Sequence, residues 1–384
     1  LSIRRQRQMC IRDSYYGDEE TAKAILRKED GEGEDDGEAL PVDEFELNEV
    51  EFGFQTAIDP YARADVFLSA AAGEAELEEG YLTLVALPYG MQARIGKFRA
   101  PYGEINDIDP EEMPFVDYPP ALVNIFGPEG AIETGAWVNI AFPGPRDTYL
   151  LYWLGITDGA NEVSFHGGDA NKPNLFSRFE VFKQVGQYAG WEVGTAFITG
   201  YNDPDGLYRT HIENAHFEFD WKDPYLSMYK SFAFQAEVFF VQREMPWLIL
   251  DGEVLGEVGE EETAELIDID LSGGLFHLGD DEAVIIAPPG GGGHMETSFS
   301  TYGLARYQLS RRWFVSGRAD YSQLPINSDW HEAAYSGTLM FNPSRFLNFR
   351  AQYRHTDRNF GIGDTDELYF QVLFKIGFER PEVF

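Results

Sequence analysis

The residues in this chain best placed to act on charge are carboxylates and arginines spaced two or four apart. Arg63 and Asp65, Arg318 and Asp320, and Arg350 and Arg354 lie on the polar side of alternating apolar and polar stretches, as do Arg94, Glu218 and Glu237. Successive side chains of a strand point to opposite faces, so each stretch carries a row of mixed charge on one face. Opposite charges facing each other across water set a field that orders the water and sorts polar solutes. A second group of carboxylates, Glu104, Asp107, Asp109, Glu111, Glu112 and Asp117, falls in the Pro-rich connection 100–130, a composition suited to a shaped, semi-rigid insert. These fifteen residues are the candidate lining and constriction positions of a hydrated passage.

Other chemistries find less support. The seven histidines, His166, His211, His216, His277, His294, His331 and His355, form no His-x-x-x-His or similar ligand pair. His211 and His216, five apart, would face opposite sides of a strand, so ordinary polar positions are the plainer reading and no metal site is expected from them. No Gly-x-Ser-x-Gly and no Gly-rich phosphate loop occurs. No cofactor is expected and an enzymatic reading has no positive support. Segment 251–282 holds twelve carboxylates and no Lys or Arg. Its oxygen ligands suit calcium or magnesium; solvated surface facing a divalent-rich lipopolysaccharide layer is the simpler reading.

The totals narrow the class. The 384 residues carry a net charge of −37, the wrong sign for a nucleic-acid partner and the right one for raising local cation concentration. Cys10 is the single cysteine, which removes any disulfide framework. No apolar run approaches the roughly 20 residues of a transmembrane helix. Aromatics make up 15% of the chain, with 30 Phe, 20 Tyr and 39 Gly, which suits many strands, tight turns and rings of aromatics at two membrane interfaces.

Alternation starts near Leu47 and runs almost to the end. Phe349, Ala351 and Tyr353 against Asn348, Arg350, Gln352 and Arg354 is its cleanest instance. About fifteen segments of around ten residues can be counted, the length a tilted strand needs to cross a bilayer, against about five to six for a common soluble strand. Connections alternate short and long, the outer-membrane pattern of periplasmic turns and external loops. The expected fold is all-β: a transmembrane antiparallel β-barrel of 15–16 strands over 47–384. A soluble secreted β-protein is the less favoured reading.

The stretch Ile95-Gly96-Lys97-Phe98-Arg99-Ala100-Pro101-Tyr102-Gly103-Glu104 resembles the strand-to-loop junction of outer-membrane porins of the phosphate-selective O/P type. The resemblance implies a sixteen-stranded channel, often a homotrimer, and makes 100–130 the third external loop, which in general porins folds inward. An external flap without selectivity is an equal alternative here. Phosphate selectivity is not implied, because the inward charges mix signs. The last strand, 368–378, has Leu368, Phe370, Val372, Phe374, Ile376 and Phe378 on one face. It resembles the closing strand of outer-membrane barrels that the barrel assembly machinery recognises.

Residues 1–14 carry four Arg in an acidic chain and resemble translated read-through of a sequencing adapter; 15–46 reads as an acidic, solvated loop. Strand parity asks for one more strand upstream of Leu47. The expectation is therefore a non-native leader, a missing first strand, and an open or strained seam where the last strand would meet 47–57 in parallel. In function, the sequence points to an outer-membrane channel for small polar solutes or ions, in contact with lipid and lipopolysaccharide. The alternative is a non-conducting barrel that binds through segment 246–294.

Overall fold

The computed structural model describes residues 4–13, 46–71, 74–109, 112–145, 147–161, 163–167, 171–204, 206–226, 229–246, 249–250, 253–254, 293–360 and 363–376. Glu111 and most of the acidic segments 15–46 and 251–282 lie outside these residues.

Sixteen strands form one closed barrel among the described residues. They are β1 (Arg4–Asp13), β2 (Glu46–Ala57), β3 (Ala62–Ala71), β4 (Glu74–Leu84), β5 (Met91–Arg99), β6 (Ile132–Pro143), β7 (Thr148–Thr157) and β8 (Asn174–Val185). The second half is β9 (Ala189–Tyr201), β10 (Arg209–Lys222), β11 (Ser231–Pro246), β12 (Gly293–Gln308), β13 (Trp313–Leu324), β14 (Asn327–Ser344), β15 (Leu347–Arg358) and β16 (Thr365–Ile376). Each strand pairs antiparallel with its chain neighbours and β1 closes on β16, so among the described residues the sheet has no open edge.

The seam expectation is corrected. β1 pairs antiparallel with β16, Met9 opposite Phe374, and with β2, Met9 opposite Val50. The first-strand place, expected to be vacant, is filled by Arg4–Asp13. Backbone pairing explains this: two facing sheet edges accept any extended segment, because N–H and C=O groups carry no sequence information. The connection at 325–326 is short. β13 and β14 pair down to Leu324 opposite Asn327, leaving a tight hairpin.

Side-chain directions follow the alternation. Leu154, Ile156, Phe179, Phe197, Leu339, Leu368 and Phe370 are exposed on the outside, while Asn139, Arg178, Glu180, Thr338, Gln352 and Gln371 are buried inside. A surface apolar outside and charged inside is stable against lipid and not against water. The main apolar core lies within the barrel. Loop 100–130 brings Tyr102, Ile105, Met113, Phe115, Leu122, Ile125 and Phe126 against Phe98, Phe176, Ile198, Ile212, Phe239 and Val241 of the wall. The loop ends in α1 (Pro120–Phe126), a short helix with Pro at its start and Gly127 at its end, packed on β13.

Candidate functional site

Loop 100–130 crosses the lumen and is held at three places. Its stem is closed by Asn106, whose Nδ2 donates to the Ala100 and Ala131 carbonyls at 2.7 and 3.1 Å while its Oδ1 accepts from Ala131 N–H at 2.7 Å. The Tyr102 hydroxyl is buried and donates to Glu133 at 2.6 Å. Burial, and then the adjacent Glu133 carboxylate, raise this phenol well above its usual value, so it stays a donor.

The second hold is Glu237 on β11. Its carboxylate accepts from the backbone N–H of Glu104 at 3.0 Å and of Ile105 at 3.3 Å, from Asn214 Nδ2 at 2.6 Å and from the Tyr302 hydroxyl at 2.7 Å. Gly103 lets the loop come this close. A Cβ there would lie 2.1 Å from Glu237 Oε1, and its φ of 130° is a region side chains rarely adopt. Across the gap Arg178 of β8 donates to the Gly103 carbonyl at 2.9 Å and pairs with Glu104 and Glu180.

The third hold is Asp117. Its Oδ2 accepts from Arg318 Nη2 at 2.8 Å and Arg354 Nη1 at 2.7 Å, and its carbonyl accepts from Arg318 Nη1 at 2.8 Å. Gln352 donates to its other oxygen and accepts from Val116 N–H at 2.7 Å. Arg350 Nη1 donates to the Phe115 carbonyl at 3.1 Å. Burial alone would raise the Asp117 carboxyl; the two guanidiniums outweigh it and hold the carboxyl well below the usual carboxylate range. Asn124 of α1 adds bonds to Ser322 at 3.0 Å and Glu332 at 2.7 Å.

The sequence-derived candidates therefore separate into two sets. Asp65, Asp109, Asp117, Glu237, Arg318, Asp320, Arg350 and Arg354 are buried, and the hydrogen bonds above commit most of them to anchoring the loop. Arg94 is buried too, stacked 4.1 Å from Tyr81 and 5.0 Å from Trp137. Asp107 and Glu112 are exposed, and Arg63, Glu104 and Glu218 are half-buried. Asp107, exposed on the loop, lies within electrostatic reach of Arg94 and Arg178 and also of Glu104 and Glu79. Glu112 meets Lys375 at 3.5 Å beside a cavity of about 330 Å³ on the short-turn side of the loop, also lined by Arg306, Arg345 and Arg350.

Sequence reasoning had Glu104 among its candidates but missed that it meets Glu180, Glu192 and His216 at one point, with ligand atoms all within 4.8 Å of one another. They come from the loop and three strands, so no spacing along the chain announces them. It also missed the inward apolar band. Phe239, on the polar face of β11 beside Glu237, was the visible signal for it.

Fold and surface define the class: a transmembrane β-barrel of the outer-membrane type, with a loop folded into its lumen. Solved structures of similar fold include the outer membrane channel DcaP of Acinetobacter baumannii, 9% identical, covering 97% of this chain and 95% of that one, with a TM-score of 0.50. They also include the anion-selective porin of Comamonas acidovorans, 8% identical over 98% and 99% of the two chains, TM-score 0.52, and the trimeric outer membrane protein OmpT of Vibrio cholerae, 8% identical over 98% and 99%, TM-score 0.51. At such identities the likeness is one of fold. No family model matches the chain. A protein of Aquifex aeolicus (strain VF5), itself uncharacterised, is 33% identical over 158 residues, which are 38% of this chain and 33% of that relative's length.

Proposed function

We propose that this protein is a passive outer-membrane channel for small polar solutes and ions, narrowed by loop 100–130 and weakly selective for cations. One observation carries the reading: the loop is anchored inside the lumen by Glu237 and Asp117, while Asp107 keeps an exposed carboxylate in the remaining water. Arg94 on the wall and Asp107 on the loop supply the two sides of a transverse field. Acidic external segments add cation attraction. The junction 95–104 supports a relation to porins of the O/P type, without their anion preference, because here the lumenal arginines are paired with carboxylates. The lipid-facing surface fits contact with bilayer and lipopolysaccharide, the closing strand fits recognition by the barrel assembly machinery, and a homotrimer fits the porin-like fold.

The extent of loop anchoring favours a second reading, a barrel closed by its loop that binds through segment 246–294. Single-channel recording in planar bilayers separates them. Ohmic conductance steps support the channel; a correctly inserted barrel passing no current supports the closed form.

A further inference from the structure

We infer that Glu104, Glu180, Glu192 and His216 form a binding site for a first-row divalent metal ion, zinc fitting best, that ties the inserted loop to the barrel wall. Glu180 stands on β8, Glu192 on β9 and His216 on β10, and Glu104 comes from the start of the loop. The His216 side chain has no exposed surface, and its Nε2 points into the three carboxylates, 3.3 Å from Glu192, 3.9 Å from Glu180 and 4.0 Å from Glu104. Zinc with ligands about 2.0–2.2 Å away in a tetrahedron places them roughly 3.4 Å apart; the four ligand atoms lie within 4.8 Å of one another, so side-chain shifts of about 1.4 Å or less in any pair close the set.

The space for it is built into the sheet. Glu180, Gly194 and His216 lie opposite one another across three strands. A Cβ at 194 would fall 2.2 Å from His216 Cε1 and 2.8 Å from Glu180 Cγ, so only glycine lets both side chains converge. Glu180 is 4% exposed, and the Arg178 guanidinium bridges its Oε1 to Glu104, holding the two carboxylates side by side. Glu237, opposite His216, is committed to Asn214, Tyr302 and the loop amides.

Charge points the same way. Three carboxylates and the Arg178 guanidinium carry a net formal charge of −2, which one divalent cation held by the neutral imidazole would balance. Burying like carboxylates together is costly without such a partner. An imidazole with carboxylate oxygens suits zinc and its first-row neighbours, whereas calcium prefers six to eight oxygens. Since Glu104 is on the loop and the rest on the wall, the ion would staple the loop where it leaves β5.

The test is zinc binding by the full-length barrel in detergent, using zinc chloride against a chromophoric chelator. We expect one tight equivalent per barrel, not displaced by equal calcium. His216→Gln weakens it by at least about 100-fold, more than the 10–100-fold typical of groups one layer further from a metal. Glu192→Gln, at a half-buried position, provides a second variant should His216→Gln fail to fold, and Asp329→Asn on the exposed surface leaves binding unchanged. Absence of the tight equivalent, its survival in both His216→Gln and Glu192→Gln, or equal displacement by calcium overturns the proposal.

Discussion

Gly103 and Glu237 meet at close quarters: a Cβ at 103 would press to 2.1 Å from Glu237 Oε1, and the next two amides donate to that same carboxylate. The loop enters the lumen through this contact. Glu237→Ala would take this acceptor from Asn214, the Tyr302 hydroxyl and two amides. With about 1.5–3 kcal/mol at stake per hydrogen bond to a charged group, and partial rescue by water, we expect a loss of roughly 2–4 kcal/mol. Gly103→Ala, which keeps every hydrogen-bonding group, should also lower stability and increase open-channel noise. Denaturant unfolding from lipid and noise analysis measure both; wild-type values in either variant would show that the contact does not hold the loop.

The Asp117 latch should be insensitive to mild acid. Folding lowers this carboxyl's affinity for protons, so its stabilisation is present above the unfolded carboxyl value of about 3.9 and is lost as pH falls from there through the depressed folded value. Melting temperature should thus rise with pH between about 2 and 4 and then level as far as this group is concerned. Asp117→Asn should lower the plateau and flatten the acid limb, because Arg318 and Arg354 lose their shared partner. A variant with the wild-type acid limb would remove Asp117 from the account.

Asp107 should set part of the ion preference. A monovalent ion passing roughly 8 Å from one carboxylate in water gains about 0.5 kcal/mol, about a factor of two in local occupancy. Asp107→Asn should therefore reduce the cation-to-anion permeability ratio about twofold, read as a shift of reversal potential in a salt gradient. An unchanged reversal potential would mean that ions do not pass this carboxylate.

The outer face should tolerate polarity far less than the inner one. Leu154 is 53% exposed on the outside of β7. Leu154→Arg should destabilise the barrel in bilayers by up to about 2–4 kcal/mol, depending on its depth. A neutral effect in lipid would contradict the assignment of that face to the membrane.

Period-two alternation made the barrel legible, because lipid on one side and water or polar wall on the other force each strand to state its facing. Leu368, Phe370 and Ile376 lie outside as the pattern of the last strand requires, and Arg318, Asp320, Arg350 and Arg354 lie inside. Alternation could not tell an inward charge that meets solute from one that anchors a loop. That depends on which strands face Asp117 across the lumen, and Arg354 is 237 positions away along the chain. The convergence of Glu104 with His216 was hidden for the same reason. The seam was misread because composition argued against residues 1–14, whereas the backbone of Arg4–Asp13 needs no particular composition to pair with β2 and β16.

The central claim is a water-filled passage beside an anchored loop. Single-channel recording of the purified full-length protein in planar bilayers under a potassium chloride gradient tests it most directly. The account predicts ohmic steps with a reversal potential on the potassium side. Inserted, correctly folded barrels that give no steps, or steps reversing on the chloride side, would contradict it.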